Sequence, residues 1–187
     1  MKSWTRHALL GSVAVVSGWL LTGCAGKEEP EHPGTPPRVR IVTTQQYLNT
    51  LQNVFGSSVS MDMKFPPLRR TGGLLANGAA LAGVTAGKIE TFQRAASGIA
   101  AQVVAPERRN YLIPCTPKSD TGADEGCARQ FFAQTGRLLH RRALSEQEIG
   151  RYVTQANHAA IELKDFYAGL ELVLEAMLLS PEVLFIV

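Results

Sequence analysis

The feature that most limits the fold of this 187-residue chain is the helical spacing of its apolar residues. From Thr44 to about Phe55, apolar side chains recur at positions that share one face of a helix. Thr43 is suited to cap the start of that helix, and Gly56 is suited to end it. Because no segment alternates apolar and polar residues for long enough to predict a strand, the sequence predicts an all-α fold of about five helices.

Four further helices follow from the same pattern. We expect them at about 87–104, at about 125–140, from Ser145 onward with a capping box at its start, and at about 164–179. The apolar faces predicted for the second and third helices include Ile89 and Leu138. Pro106 either ends the second helix or opens a short turn, and Ser180-Pro181 is typical of a new helical start. Residues 57–84, rich in glycine and proline, predict a long loop.

The first 23 residues have the composition of an export signal. Lys2 and Arg6 precede an apolar stretch of about 14 residues, too short for a stable bilayer span of about 20. The sequence Leu21-Thr22-Gly23-Cys24 then resembles the bacterial lipobox, in which small residues let the peptidase reach the bond before a lipid-bearing cysteine. We therefore predict a signal peptide at 1–23 and lipidation of Cys24; the alternative is a plain transmembrane anchor beside an incidental cysteine.

Residues 24–38 are predicted to form a flexible tether, because four prolines, two glycines and three glutamates cannot build a core. A diacylglycerol on the thiol of Cys24 and a further acyl group on its amino group, palmitate being the expected chain, would hold this tether at a membrane. Residue 25 is Ala, and in lipoproteins the absence of Asp there is typical of delivery to the outer membrane. The predicted location is the bacterial envelope, at the outer membrane, facing the periplasm or the cell surface.

The charge balance argues against a nucleic-acid partner. Removal of Lys2 and Arg6 with the leader leaves 17 basic residues against 16 acidic ones. Nucleic-acid affinity depends on many Lys and Arg contacts with phosphates, which a nearly neutral chain does not supply.

Cys115 and Cys127 form an even pair in a chain predicted to enter an oxidising compartment, so we expect a disulfide. Closing a loop of about 13 residues contributes roughly 3 kcal/mol in the chain-entropy treatment. The alternative is a metal or redox site, but no C-x-x-C motif occurs, and only His140 and His158 remain in the predicted folded part. No cofactor or metal is predicted.

Sequence motifs for catalysis are missing. The chain contains no G-x-S-x-G, no phosphate-binding G-x-x-x-x-G-K-[ST], no G-x-G-x-x-G and no H-E-x-x-H. His140 and the following Arg141-Arg142 end the third predicted helix, where positive charge is favoured by the helix dipole. We therefore predict no catalytic residue in this chain.

Three ordered motifs carry a family resemblance. The segments TTQQYLNTLQNVFG, FPPLRRTGGLLANGAAL and FQRAASGIA resemble one module of the planctomycete-type cytochrome-associated PSD domains of unknown function. The stretch from Cys115 to Cys127, followed by FFAQTGRLLHRRALSEQEIGRYV, resembles the next module, where the family typically has Arg-Arg-Pro-Leu-Thr. The closing GLELVLEAMLLSPEVLFIV resembles the start of a third, larger module.

The resemblance implies a first helical module at 39–105 and a second at 106–187 that runs into the larger one. Such proteins are typically longer, and some carry c-type haem domains. The end of this chain, Val183 to Val187, is wholly apolar. An unpacked apolar tail is unusual in a finished protein, which suggests a truncated chain.

The sequence leaves three functions open. The first is a non-catalytic scaffolding or partner-binding module, its partner being another protein or the missing C-terminal modules. The second, implied by the resemblance, is an accessory component of a periplasmic cytochrome-linked oxidoreductase system. The third is the handling of carbohydrate at the cell surface. It would require exposed aromatic side chains, whereas the aromatic residues, 7% of the chain, mostly fall on predicted core faces.

Overall fold

The computed structural model describes residues 39–60 and 85–186, all within a compact unit spanning Pro37–Val187. These residues form seven α-helices and one two-stranded antiparallel sheet, which confirms the predicted all-α class. The predicted leader, its tether and most of the predicted loop lie outside the described residues. In chain order the elements are β1 (Arg40–Ile41), α1 (Thr44–Phe55), α2 (Ala86–Val104), α3 (Pro106–Leu112), α4 (Glu125–Leu139), α5 (Glu146–Leu163), α6 (Phe166–Leu178), α7 (Pro181–Leu184) and β2 (Phe185–Ile186).

The predicted helix starts are set by side-chain caps. Thr43 accepts a hydrogen bond from the backbone N–H of Gln46, and the Gln46 side chain accepts one from the N–H of Thr43. Ser145 and Glu148 repeat this reciprocal arrangement at the start of α5. Such caps satisfy backbone donors that have no partner inside the helix, which is why the sequence located these two starts correctly.

Helix α6 lies at the centre of the core. It packs against α5 and α2 over most of its length and also contacts α4, while α1 packs on α4. Leu170, Leu174, Met177 and Leu178 of α6 are completely buried. The burial of these side chains is the main favourable contribution to folding, at about 1.5–3 kcal/mol for each.

Two predicted core positions lie on the surface instead. Ile89 is 53% exposed and Leu138 is 38% exposed. Ile89 lies in the first turn of α2, ahead of Phe92, the first buried residue of that helix. Leu138 adjoins the fully buried Leu139, and neighbouring residues on a helix point in directions about 100° apart.

The strand pair was missed by the sequence analysis. Ile41 of β1 is paired with Phe185 of β2, and the N–H of Val42 donates to the carbonyl of Leu184 at 2.8 Å. Two-residue strands are too short to show an alternating pattern. Val183 is buried, and the three residues after it pack against the core. The described part of the apolar C-terminal stretch is therefore packed, contrary to the expectation of an unpacked tail.

Candidate functional site

The disulfide lies between α3 and α4. Cys115 and Cys127 are bonded, with Cα atoms 5.5 Å apart, as the sequence predicted. Asp124 holds the intervening loop in place: its carboxylate accepts hydrogen bonds from the N–H groups of Cys127 at 3.1 Å and Lys118 at 3.0 Å. These backbone donors lower the pKa of Asp124. The disulfide is thus part of a bonded loop that also caps α4.

The Arg-Arg motif builds a junction between α4, α5 and the C-terminal residues. The guanidinium of Arg141 donates to the carbonyl oxygens of Glu182 at 2.8 Å and Phe185 at 3.4 Å. The guanidinium of Arg142 binds both carboxylate oxygens of Glu148, at 2.6 and 3.0 Å. This pairing holds the pKa of Glu148 well below its usual range. Both arginines therefore have structural partners.

Arg141 also has an unusual backbone. Its φ is 58°, in the left-handed region that costs a residue with a side chain about 1 kcal/mol or more. Glycine would adopt this conformation without that cost. The contacts of its guanidinium with the C-terminal residues explain why an arginine stands at this position.

His140 is the one buried histidine among the described residues, with 7% of its surface exposed. Neither ring nitrogen has a hydrogen-bond partner in the described part of the chain. Burial lowers the pKa of His140, while the negative charge of Glu182 opposes the shift in part. His140 follows the last residue of α4, at the helix end that the sequence predicted, and burial disfavours the charged form of the ring there.

The carboxylates near helix starts act as caps and ion-pair partners. Asp165 accepts hydrogen bonds from the N–H groups of Tyr167 and Ala168 at the start of α6. Within residues 39–60 and 85–186, no three His, Cys, Asp or Glu side chains are grouped so that they could hold a metal ion.

An apolar groove lies on the surface between α5 and α6. It encloses about 520 Å³ and is lined by Thr154, Gln155, His158 and Ala159 of α5 and by Leu172, Val173 and Ala176 of α6. Leu172 is 56% exposed. We refer to these seven residues as the α5–α6 groove. The sequence held one signal of it, because Leu172 lies outside the apolar stripe that α6 buries.

Two acidic residues of α6 immediately precede residues that line the groove. Glu171 and Glu175 are half-buried and one helical turn apart. Neither side chain has an ion pair or a hydrogen bond to any residue in the described ranges. Partial burial raises the pKa of Glu171, and the charges of Glu175 and Asp165 raise it further. Neither carboxylate lines the groove itself, but each adjoins a lining residue in the chain and has no ion pair with a cation in the described ranges.

Cys24, the predicted lipidation site, lies outside the described residues. The other predicted site residues, Cys115 and Cys127, are joined in the structure by a disulfide, which has a structural role. No helix within residues 39–60 and 85–186 combines the length and apolar composition needed to cross a membrane.

These observations define a small, disulfide-bridged, helical protein whose recognisable motifs have structural roles. Residues 40–105 match the family model PSD3, a protein of unknown function (DUF1587), and residues 127–187 match PSD5, a protein of unknown function (DUF1595). The chain therefore contains two N-terminal modules of the planctomycete cytochrome-associated PSD domains of unknown function. Comparisons with curated proteins and with solved structures gave no match.

Proposed function

We propose that this chain is a lipoprotein of the bacterial envelope, anchored at the outer membrane through Cys24. The observation that carries this part of the proposal is the sequence Leu21-Thr22-Gly23-Cys24 directly after a short apolar leader. The disulfide between Cys115 and Cys127 is consistent with it, because such bridges persist in oxidising compartments.

Mass spectrometry of the protein isolated from membranes tests the anchor. We expect a mature chain that begins at Cys24 and carries acyl chains, and we expect Cys24→Ser to leave the leader uncleaved and the chain without lipid. Ala25→Asp is the matched variant: it keeps the lipid but should move the protein to the inner membrane. An intact Met1 together with an unmodified Cys24 would contradict the proposal.

The role proposed for the folded part is non-catalytic binding of a protein partner in the α5–α6 groove. The groove is apolar, and about half of the surface of its lining residue Leu172 is exposed to solvent. An exposed apolar groove of this kind is a common receptor for an amphipathic helix. The groove is the single observation that carries this role.

The charge at the groove edge defines the partner further. Glu171 and Glu175 are partly removed from water and have no cation among the described residues. A partner helix with Lys or Arg beside its apolar face would supply the missing positive charge. We therefore propose a basic amphipathic helix as the occupant.

A pair of matched variants tests this proposal. Leu172→Arg places a charge in the groove, whereas Ile89→Arg places one on a similarly exposed apolar residue of α2. We expect the first to abolish binding of a synthetic amphipathic helix rich in Lys and Leu, and the second to leave it unchanged. Glu171→Lys should weaken binding of this helix and strengthen binding of its Glu-containing counterpart.

The groove would be excluded as the binding site if the peptide still bound to Leu172→Arg, or if its affinity did not depend on the sign of the charge at residue 171. Affinity should be measured by fluorescence anisotropy of the labelled peptide at two salt concentrations. Electrostatic attraction between exposed charges is screened within about 8–10 Å at physiological salt, so higher salt should weaken binding to the unsubstituted protein more than to Glu171→Gln.

An accessory role in a periplasmic cytochrome-linked oxidoreductase is the second candidate, and the presence of these PSD modules is the observation that favours it. No residue of this chain is proposed to bind haem. If the role is correct, a c-type cytochrome should co-purify with the membrane-extracted protein and be lost with Leu172→Arg. Absorbance at the haem Soret band would detect it.

A further inference from the structure

A second cavity, of about 390 Å³, lies beside the disulfide and shares no lining residue with the α5–α6 groove. It is formed where the end of α3, the following loop and the start of α6 meet. Its polar and aromatic lining includes Arg109, Asn110, Tyr111, Thr116 and Tyr167. The disulfide fixes one wall, because Cys115 also lines the cavity.

Arg109 is held in position without using its hydrogen-bond donors. Its guanidinium carbon lies 4.0 Å from the centre of the Tyr167 ring, a distance typical of a cation–π contact. The nearest carboxylate oxygen, on Asp120, is 3.6 Å from Nη2, beyond hydrogen-bonding distance. No residue in the described ranges accepts a hydrogen bond from this guanidinium. The group is therefore oriented in advance and free to donate to a ligand.

The positive charge of Arg109 is balanced from outside the cavity lining. Asp120 does not line the cavity, but its carboxylate lies beside the guanidinium, and its side chain is 59% exposed. A simple anion attracted by the guanidinium would be repelled by this carboxylate. A neutral ligand could instead accept hydrogen bonds from Arg109 and exchange others with Asn110 and Thr116, whose side chains both donate and accept.

Tyr111 adds an apolar surface to these polar groups. It is 60% exposed, an exception among the described aromatic residues, most of which are buried as the sequence predicted. A tyrosine ring presents an apolar face together with a polar hydroxyl. A fitting ligand thus combines hydroxyl groups that both donate and accept with an apolar C–H face.

We propose that this cavity binds a neutral saccharide, with Arg109, Asn110 and Thr116 contacting its hydroxyl groups and the Tyr111 ring packing on its C–H face. Sugar rings have this combination of groups, and a cavity of about 390 Å³ falls in the size range of small-molecule sites. The groove and its protein partner are not involved in this site.

Saturation-transfer NMR on the full-length protein tests the proposal, with galactose, N-acetylglucosamine and cellobiose as probes. The detergent must carry no sugar headgroup, since that group would compete. We expect transfer to ring protons of at least one neutral probe. Glycerol, which has hydroxyls but no ring, should give none, and galacturonate should bind more weakly than galactose because of Asp120.

Variants identify the site. Tyr111→Ala should weaken binding about three- to tenfold, the size expected for loss of one aromatic contact, and Tyr111→Phe should retain most of it. Arg109→Gln should abolish binding. Arg137→Gln, which removes an exposed arginine of α4, should have no effect. If Arg109→Gln disturbs the fold, as circular dichroism would reveal, the exposed Tyr111 still provides the decisive pair of variants.

Two results would overturn the proposal. One is binding of galacturonate and acetate without binding of any neutral sugar, which would make the cavity a carboxylate site. The other is the absence of transfer to every neutral probe, or transfer that Tyr111→Ala leaves unchanged.

Discussion

Replacement of Gly169 by alanine tests the packing of α6 on α5 directly. A Cβ atom at residue 169 would lie 2.5 Å from the carbonyl oxygen of Ala156 and 2.8 Å from both the nitrogen and the Cβ of Ala160. Two of these three atoms belong to the backbone of α5, so no side-chain rotation can relieve the contact. The helices would have to separate by about 0.5–1 Å, which costs a quarter to a half of the attraction of each affected contact.

The size of the effect follows from two opposing contributions. Overpacking a core position destabilises a protein by about 1–3 kcal/mol, whereas alanine in place of a mid-helix glycine stabilises it by about 0.5–1 kcal/mol. Because the clash is with backbone, we expect the upper part of the first range and a net loss of about 2 kcal/mol. For a protein of this size that corresponds to a melting temperature lower by about 4–8 °C.

Gly150→Ala is the matched control for this prediction. Gly150 lies in α5, and nothing is within 4 Å of the Cβ that it would gain. This variant should therefore be more stable than the unsubstituted protein by about 0.5–1 kcal/mol. Urea unfolding followed by circular dichroism at 222 nm measures both. A Gly169→Ala protein as stable as Gly150→Ala would refute the close approach of the two helices.

Three further predictions concern other parts of the fold. Lys164→Gly should stabilise the protein by about 1 kcal/mol, because the φ of Lys164 is 53° and its side chain has no hydrogen bond or ion pair in the described part of the chain. Arg141→Gly should give no such gain, because losing the contacts of the Arg141 side chain offsets the relief of backbone strain. Burial lowers the pKa of His140, so below about pH 6.5 the unfolded chain binds more protons than the folded one. The contribution of neutral His140 to the free energy of unfolding should be present above about pH 6.5 and lost as the pH falls through the lowered pKa. Urea unfolding at several pH values between 7.5 and 5.5 measures this loss. Replacing Cys115 and Cys127 with alanine should cost roughly 3 kcal/mol.

The controls for these predictions use residues with similar chemistry elsewhere. His140→Gln should flatten the pH dependence, and His158→Gln, at an exposed position, should leave it unchanged. A reducing agent should destabilise the unsubstituted protein but not the variant that lacks Cys115 and Cys127. Hydrogen exchange should show faster opening of β2 in Arg141→Gly, and unchanged exchange there would argue against the role of Arg141.

Several elements could be predicted because their causes are local. The capping box at Ser145 and the cap at Thr43 act within three residues of the chain, so their residue types alone locate the helix starts. The pairing of Cys115 with Cys127 followed from their number and from the predicted compartment. The strand pair could not be predicted, because Ile41 and Phe185 meet only once the helices have brought the two ends of the described fold together.

The candidate sites were even less accessible from sequence. The α5–α6 groove depends on how far two helices lie apart, and that distance is decided by the contact of Gly169 with Ala156 and Ala160. The stacking of Arg109 on Tyr167 joins residues from α3 and α6 that no spacing rule relates.

By itself, the sequence determined the helical class, the helix starts, the cysteine pair and the predicted export address, because each depends on periodicity or on residues close together in the chain. Only the tertiary structure decided that the Arg-Arg motif ties α4 to the C-terminal strand, that His140 is buried, and that Leu172 and Tyr111 face outward. These properties depend on which helix faces come together, and contacts between residues distant in the chain set that arrangement.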